Sequence, residues 1–327
     1  MGSSERFIGL DIGGTSVKAC LADEDGNMVA RYATPTCPLD DELSCARFSA
    51  QLAAYVRQQR SRAVDVVAIG VAVPGPMRGL DVEMLPNATL DVPLLLERLR
   101  DEFPNAGFAY LNDANAAAYA ESRRGFAADA DSALLVCIGT GIGAGLVVGG
   151  RLVGGENGAA GEVGHLKVVK GGRRCGCGGS GCLEQYASAR GIVRTFREVD
   201  ANNPALYADL GKGRGTEIAG LRPKHGSDSQ TVFSAFSAGD ARARHAVETF
   251  SRTLGFALAQ VACVFDPEKI LLGGGVSASF ELFRKQLLAA YRKSCIPPCA
   301  ATPVYPAKLG VDAGAIGAAL YAREHAE

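Results

Sequence analysis

The segment FIGLDIGGTSVKACLADEDGNMV, residues Phe7–Val29, contains an apolar strand, a glycine turn and a second apolar strand. The same order recurs in LLVCIGTGIGAGLVVGGRLV, residues Leu134–Val153. Gly13 and Gly139 open the two turns and lie 126 residues apart (139 − 13). Two unrelated hairpins are one explanation, but a glycine turn flanked by strands in both copies favours an internal duplication. Two such turns on two α/β halves would face one another across a cleft, where their amides would hold a phosphate chain.

The alternation of apolar strands and amphipathic segments predicts an α/β fold. Strands are expected at residues 7–10, 17–21, 64–73, 108–111 and 270–272, and helices at 44–62, 91–100, 114–124, 183–199, 240–265, 280–294 and 312–323. Asp91 and Asp312 are expected to cap the helices that follow them. Gly125 is expected to end its helix in the left-handed conformation.

Composition excludes several classes of protein. The chain has 327 residues and a net charge of −1, with 47% hydrophobic and 21% charged residues. This composition is typical of a globular protein, and the balanced charge is not that of a basic nucleic-acid-binding protein. Residues 133–150 lack charge, as a membrane span would, but six of these 18 residues are glycine, which favours strand, turn and strand. No signal peptide is recognised, so we expect a soluble cytoplasmic protein without membrane contacts.

An acidic residue accompanies the first glycine turn. Asp11 ends an apolar strand, and Thr15 follows the pair Gly13 and Gly14. A carboxylate at the end of a buried strand is costly unless a cation or hydrogen-bond donors satisfy it. Because Mg²⁺ prefers carboxylates together with phosphate oxygens, Asp11 and Thr15 fit a magnesium–nucleotide site. The alternative is that Asp11 only accepts hydrogen bonds from amides of the turn.

Asn112 and Asp113 lie between the strand 108–111 and the helix 114–124. Ligand sites of α/β proteins form at this end of a strand. Aspartate is also a favoured N-cap residue, and spacing alone favours capping as the role of Asp113. A carboxylate there is also placed to accept a hydroxyl proton, which is the base role in phosphoryl transfer to an alcohol.

A cluster of metal-ligating residues lies downstream. His165, Cys175, Cys177 and Cys182 fall within 18 residues, separated by glycines that let the chain turn around one point. Three cysteines and one histidine match a four-coordinate zinc site. Four protein ligands leave no position for water, so the zinc is predicted to be structural. The alternative, three reduced free thiols, is disfavoured by their density.

Charged residues surround the proposed zinc ligands. The basic residues Lys170, Arg173 and Arg174 are expected to reduce the negative charge that remains on the thiolates. Glu162 and Glu184 flank the ligands in the sequence. The metal would therefore hold two carboxylates and an imidazole near one place, an arrangement suited to vicinal hydroxyls.

Five stretches together resemble the ROK family of bacterial sugar kinases and repressors. They are DIGGT (Asp11–Thr15), LNDANAAAYAE (Leu111–Glu121), CIGTGIGAGLVVGGRLVGGENGAAGEVGH (Cys137–His165), CGCGGSGCLEQYAS (Cys175–Ser188) and LLGGGVS (Leu271–Ser277). The resemblance implies an actin-like ATPase fold, related to ribonuclease H, with two lobes and a cleft. It implies a small α/β lobe at 1–112, rejoined by the C-terminal helix 312–327, and a large lobe with the zinc loop at 113–311.

The resemblance also implies roles for individual residues. Asp113 would be the general base that takes the proton of the sugar hydroxyl. The other hydroxyls would be held by Asn87, Asn112, Glu162, His165 and Glu184. The ATP phosphates would be lined by Gly13, Gly14, Thr15, Thr140 and Gly141, and the adenosine by Gly274 and Gly275. Asp11 would hold Mg²⁺ through water, and His165 would use one ring nitrogen for zinc and the other for the sugar.

The implied function is an ATP-dependent hexokinase. The stretches GCLEQYAS and AAGEVGH look most like glucokinase members, which predicts glucose as the acceptor and glucose 6-phosphate as the product. N-acetylmannosamine, N-acetylglucosamine, allose and fructose are the alternative acceptors. Family members often carry an aromatic residue three positions after Asn87, where this chain has Leu90.

Two functions other than a kinase are alternatives. Sugar-sensing repressors of the family carry a helix-turn-helix domain ahead of the first glycine motif, but only ten residues precede Asp11. A non-catalytic sugar-binding protein would need neither Asp11 nor Asp113. We therefore expect a kinase whose partners are a hexose, ATP and further copies of the chain in a dimer or tetramer, without nucleic acid.

Overall fold

A computed structural model describes residues 4–14, 16–59, 64–78, 81–82, 89–202 and 228–327. The strands are β1 (Ser4–Ile12), β2 (Ser16–Ala22), β3 (Met28–Pro35), β4 (Val64–Val73), β5 (Met77–Arg78), β6 (Asp81–Val82), β7 (Gly107–Asn112), β8 (Ser132–Ile138), β9 (Ile142–Val148), β10 (Arg151–Leu152), β11 (Lys269–Gly273) and β12 (Val304–Pro306). The helices are α1 (Glu42–Gln58), α2 (Val92–Glu102), α3 (Asp113–Arg124), α4 (Glu184–Ala187), α5 (Ala189–Asn202), α6 (Ser229–Ser237), α7 (Ala241–Phe265), α8 (Phe280–Ser294) and α9 (Ala313–His325).

The two five-stranded sheets have the same strand order. One sheet runs β3-β2-β1-β4-β7 and the other β10-β9-β8-β11-β12. In each, three consecutive strands lie side by side, and two later strands continue beyond the first of the three. In the first sheet β1 pairs antiparallel with β2 and parallel with β4. The shared order confirms the α/β class and supports the duplication predicted from the two glycine hairpins.

The chain divides into two compact units. The first consists of Met1–Leu135, Ala144–Gly161 and Ala307–Glu327, and the second of Val136–Gly143 and Glu162–Pro306. Helix α3 belongs to the first unit, so this division falls later along the chain than the boundary expected at residue 112. Helix α9 also belongs to the first unit.

The core of the first unit follows from the alternation of side chains along β1. Ile8 and Leu10 point to one face of the sheet, where they are buried together with residues of α1 and α2. Phe7 points to the opposite face and packs with Ala315 and Ala319 of α9. The first sheet is therefore covered by helices on both faces.

Helix α9 approaches the backbone of its neighbours closely at three glycine positions. A methyl group at Gly9 of β1 would overlap the carbonyl oxygen of Ala315, and one at Gly70 of β4 would overlap that of Ala318. A methyl group at Gly317 of α9 would overlap the carbonyl oxygen of Ala116 in α3. Glycine at these three positions is what permits the close approach of the last helix.

The observed helix ends agree only in part with those predicted from the sequence. Asp91 caps α2 as predicted, because its carboxylate accepts a hydrogen bond from Leu94 N (3.0 Å). Asp312 precedes α9 but makes no side-chain cap, since its carboxylate accepts a hydrogen bond from Arg31 instead. The left-handed conformation predicted for Gly125 is wrong, because its φ is −100°. The predicted helix 183–199 is two helices, α4 and α5, which meet at Ser188.

The uncharged stretch 133–150 forms strands β8 and β9, as its glycines predicted. Within the described residues, none of the helices has both the length and the apolar surface that crossing a bilayer requires.

Replacing Gly317 with Ala should destabilise the protein, because the added methyl group would overlap Ala116 O. At a helix position with free space around it, replacing Gly with Ala stabilises the folded protein by up to about 1 kcal/mol. Overpacking costs about 1–3 kcal/mol, so we expect a lower Tm in thermal melts followed by circular dichroism. Gly154→Ala is the control, since no described atom lies within 4 Å of the methyl group added there. An equal Tm for the two variants would contradict the close packing of α9.

Candidate functional site

The first glycine turn joins β1 to β2 and is held by backbone hydrogen bonds. Gly13 N donates to Ser16 O (3.1 Å), and the Thr36 hydroxyl donates to Gly13 O (2.6 Å). Gly14 is exposed at the tip of the turn. Thr15, the last residue of the motif, lies outside the described residues.

Asp11 lies at the end of β1, with its side chain 14% exposed. Lys18 is its direct partner in the β1–β2 register, with the Nζ atom 3.7 Å from Asp11 Oδ2. A methyl group at Gly314 would lie 2.6 Å from the same oxygen, so the first turn of α9 covers the carboxylate. Burial raises the pKa of Asp11, and Lys18 only partly offsets this effect. In the described part of the turn, the carboxylate thus faces an ammonium group and a helix rather than turn amides.

At the junction of β7 and α3, Asn112 is the residue that caps the N-terminus of the helix. Asn112 Oδ1 accepts hydrogen bonds from Ala114 N (2.9 Å) and Asn115 N (3.1 Å), and its amide group donates to Gly75 O (3.0 Å). Asp113 is the first residue of α3, and its Oδ1 also accepts from Ala114 N (2.8 Å). The N-cap is therefore Asn112, and the interpretation of Asp113 as the cap is wrong. The helix dipole stabilises negative charge at this position.

The second glycine turn joins β8 to β9 and contacts Glu184, the first residue of α4. Ile142 N donates to Glu184 Oε2 (3.2 Å), and a methyl group at Gly141 would overlap this oxygen. Gly139 accepts a hydrogen bond from Ala189 N (2.9 Å), which joins the turn to the start of α5. Thr140 lies between these two contacts.

Glu162, His165 and Glu184 lie close together. His165 ends a 3-10 turn over Val163–His165, and its Nε2 atom is 3.8 Å from Glu162 Oε2. Burial raises the pKa of Glu162; His165 opposes this effect and the negative charge of Glu184 adds to it. Three residues that the sequence proposed for sugar hydroxyls are thus brought to one place in the second unit.

The four predicted metal ligands also converge. The ligand atoms of His165, Cys175, Cys177 and Cys182 all lie within 4.8 Å of one another. Cys175 Sγ is 3.6 Å from His165 Nδ1, and Cys177 Sγ is 3.6 Å from Cys182 Sγ. In a tetrahedral zinc site, zinc–sulfur bonds of about 2.3 Å place the ligand atoms about 3.8 Å apart. The donor set and its spacing fit Zn²⁺.

Gly274 and Gly275 follow β11. Gly274 has a φ of +79°, and a methyl group there would lie 2.5 Å from Ile138 O, so this position requires glycine. No described atom lies within 4 Å of a methyl group placed at Gly275. The backbone at Gly275 is therefore open to a ligand.

A cavity of about 890 Å³ lies beside the second glycine turn, within the second unit. Its lining residues are Thr140, Gln185, Ala189, Arg190, Val193, Arg194, Arg197, Glu198, Asp228 and Ser229. The three arginines lie on α5 at spacings of four and three residues, which places them on one side of the helix. None of the three was predicted from the sequence, although their spacing along the chain is a signal that the sequence contains.

The structure thus distributes the predicted residues over two units. Asp11, Gly13, Gly14, Asn112 and Asp113 belong to the first unit; Thr140, Gly141, Glu162, His165, Cys175, Cys177, Cys182, Glu184, Gly274 and Gly275 belong to the second. Asn87, like Thr15, lies outside the described residues. Lys18, the partner of Asp11, was not predicted; its signal was its place opposite Asp11 in the hairpin.

Comparisons with known proteins agree with these observations. The model of the ROK family matches residues 7–325. The glucokinase of Halalkalibacterium halodurans is 33% identical over 323 residues, which cover 96% of this chain and 94% of that protein. The N-acetylmannosamine kinase of Shigella flexneri is 29% identical over 323 residues, covering 97% and 98%.

A solved structure extends the comparison to the fold. The crystal structure of a ROK family glucokinase from Streptomyces griseus in complex with glucose and AMPPNP superposes with a TM-score of 0.76 at 32% identity, covering 98% of this chain and 100% of that one. The match confirms the predicted α/β fold of the actin-like ATPase type.

Replacing Asp11 with Asn should stabilise the fold, and more so as the pH rises. Burial raises the pKa of Asp11 in the folded chain above its ordinary value of 3.8. Below that value the carboxyl is protonated in both states and costs nothing; the cost of burying it grows as the pH rises from that value to the folded-state pKa, and is constant above it. The gain in Tm over wild type should therefore be larger at about pH 7.5 than at about pH 4.5.

The control for this prediction is Asp65→Asn, which removes the same charge from an exposed position of β4. Lys18 is 24% exposed and keeps contact with water in the Asp11 variant. A Tm difference for Asp11→Asn that does not change with pH would contradict the assigned effect of burial.

Proposed function

The chain belongs to the ROK family, and from this membership we propose that it is an ATP-dependent sugar kinase. It transfers the γ-phosphoryl group of ATP to a hexose hydroxyl, with glucose as the acceptor and glucose 6-phosphate as the product. The observation that carries the proposal is the hydrogen bond from Ile142 N to Glu184. A carboxylate suited to sugar hydroxyls thereby lies against a glycine turn suited to phosphate, as positioning of the two reactants requires.

The sugar is held by the carboxylates of Glu162 and Glu184 and by the imidazole of His165. Carboxylate oxygens accept hydrogen bonds from neighbouring hydroxyls, and such charge-assisted bonds are stronger than neutral ones. The proximity of His165 Nε2 to Glu162 supports their joint action on one ligand. The family resemblance assigns a further sugar contact to Asn112.

The nucleotide is proposed to bind at the second glycine turn and in the cavity beside it; the family resemblance assigns phosphate contacts to the first glycine turn as well. Arg190, Arg194 and Arg197 line this cavity, and guanidinium groups bind phosphate oxygens through two parallel hydrogen bonds. Ala189 and Val193 supply apolar wall for the base. The three arginines outnumber the two carboxylates of the lining, Glu198 and Asp228, and this excess of positive charge and the size of the cavity support a nucleoside triphosphate as the donor.

Asp11 is proposed to hold Mg²⁺ through water. Its carboxylate is mostly buried and has one ammonium neighbour, Lys18, at 3.7 Å, so a divalent cation would offset a charge that this pair leaves only partly compensated. When bound, Mg²⁺ neutralises the charge that develops on the phosphates.

Asp113 is proposed as the general base that accepts the proton of the attacking hydroxyl. Asn112 supplies the N-cap hydrogen bonds of α3, so the helix does not depend on Asp113 for its capping. The position of Asp113 in the first turn of α3 favours its ionised, proton-accepting form.

The cluster of His165, Cys175, Cys177 and Cys182 is proposed to hold one structural Zn²⁺. All four ligands come from the protein, so the zinc holds the loop closed and does not contact ATP. With His165 Nδ1 directed to the metal ligands and Nε2 to Glu162, metal binding would orient the imidazole for the sugar.

Glucose is proposed over N-acetylmannosamine because the glucokinase match is the stronger of the two, 33% against 29% identity. Leu90, at the position where family members often carry an aromatic residue, is 7% exposed and pairs with Leu39 in the core of the first unit. Leu90 therefore packs in the core and supplies no ring for stacking on a sugar. The homo-oligomer and the cytoplasmic location stay predictions.

The activity is tested by measuring ADP release from magnesium–ATP with a panel of sugars. The panel consists of glucose, N-acetylmannosamine, N-acetylglucosamine, allose and fructose. We expect the highest kcat/KM with glucose. A higher kcat/KM with another sugar would identify that sugar, and not glucose, as the acceptor. The absence of sugar-dependent ADP release would overturn the proposal that the protein is a kinase.

Asp113→Asn should lower kcat at least ~10²-fold, the usual scale of general-base catalysis, with sugar affinity within about an order of magnitude of wild type. The amide keeps the shape of the side chain but cannot take the proton. Steady-state kinetics and calorimetric sugar titration measure the two effects. Asp65→Asn again serves as the control, and wild-type turnover in the Asp113 variant would exclude the base role.

A further inference from the structure

A lysine lies against the metal cluster, although it is not one of the four ligands. Lys167 Nζ is 2.7 Å from Cys182 Sγ and 3.7 Å from Cys177 Sγ. Both sulfur atoms are within reach of a hydrogen bond from the ammonium group. One side chain therefore reaches two of the three thiols of the cluster.

The backbone places Lys167 at this position. Lys167 and Cys182 form an isolated antiparallel bridge, and Leu183 N donates to Leu166 O (2.9 Å) beside it. A methyl group at Gly179 would lie 2.5 Å from Lys167 Nζ, so glycine there leaves space for the ammonium group. The backbone thus brings Lys167 beside Cys182, and Gly179 leaves room for its ammonium group.

The net charge of the zinc-bound cluster explains why an ammonium group beside it would be stabilising. Three thiolates and a neutral imidazole around Zn²⁺ leave a net charge of −1 (2 − 3). Cys182 is fully buried, so its thiolate is removed from water and requires a donor from the protein. One ammonium group brings the sum to zero.

Other basic residues of the loop do not take this role. The guanidinium of Arg173 donates to Gln185 O, to the Thr195 hydroxyl and to Glu198. Among the lysines and arginines of the described segment 165–182, Lys167 is the one with a contact to the thiols. The charge compensation expected from Lys170, Arg173 and Arg174 is therefore supplied at close range by Lys167.

We propose that Lys167 is a positioning residue of the zinc cluster, whose ammonium donates to the thiolates of Cys182 and Cys177 and so raises the affinity of this chain for Zn²⁺. The proposal rests on the structural zinc proposed above and adds a fifth residue to that site. Outer-shell partners of this kind typically contribute 10–100-fold to metal affinity.

The test compares zinc affinity in four full-length proteins: wild type, Lys167→Met, Lys167→Arg and Lys170→Met. Each is titrated with Zn²⁺ in competition with a chromophoric chelator. Lys167→Met should bind zinc about 10–100-fold more weakly. Lys167→Arg keeps the charge and a donor and should stay within a few-fold of wild type. Lys170→Met removes the same charge from an exposed position of the same loop and should bind as wild type does.

A spectroscopic readout separates the hydrogen bond from a general loss of structure. In the Co²⁺-substituted proteins, a donor to a thiolate lowers the energy of the sulfur lone pair. The thiolate-to-cobalt charge-transfer band should therefore move to longer wavelength in Lys167→Met and return in Lys167→Arg. A merely destabilised loop would lower the occupancy without shifting the band.

Three results would overturn the proposal. They are a Lys167→Met variant with wild-type zinc affinity and an unshifted band, an equal loss of affinity in Lys167→Met and Lys170→Met, and a wild-type chain that binds no zinc. Since none of these measurements uses sugar or ATP, they are independent of the kinase assay, and failure of either proposal is recognised separately.

Discussion

Helix α9 lies directly on the backbones of β1 and β4, and much of the first unit depends on this contact. Gly9 and Gly70 remove the side chains that would hold the helix away from the sheet. The approach brings the start of α9, at Asp312 and Gly314, against Asp11 at the end of β1. The last helix of the chain thereby helps to bury the carboxylate of Asp11, which lies near the start of the chain. This burial raises the pKa of Asp11.

In the second unit, His165 connects the metal cluster to the carboxylates. Its Nδ1 lies near Cys175 and its Nε2 near Glu162, and the imidazole ring is rigid. A rotation of the ring would therefore displace both contacts at once. The cluster fixes the position of a group that is proposed to bind the substrate, which explains why a metal that takes no part in the chemistry would still matter to it.

Local patterns predicted the elements that depend on neighbouring residues. Strand β4 lies at Val64–Val73 and helix α8 at Phe280–Ser294, both with the predicted bounds. The glycine hairpins predicted duplication because a turn and its two strands form a short-range unit, and the two sheets share one strand order. The cluster of His165, Cys175, Cys177 and Cys182 was recognisable because four residues able to ligate a metal within 18 positions have few ways to avoid one another.

The sequence by itself determined the α/β class, the glycine turns and the set of metal ligands, because spacing along the chain settles contacts between near neighbours. Tertiary structure decided which partner each polar group meets. Arg31 takes the carboxylate of Asp312 away from capping, and Lys167 reaches Cys182 across a bridge. Hydrogen-bonding groups satisfy one another according to distance in space, and segments far apart in the chain come within that distance only when the core packs.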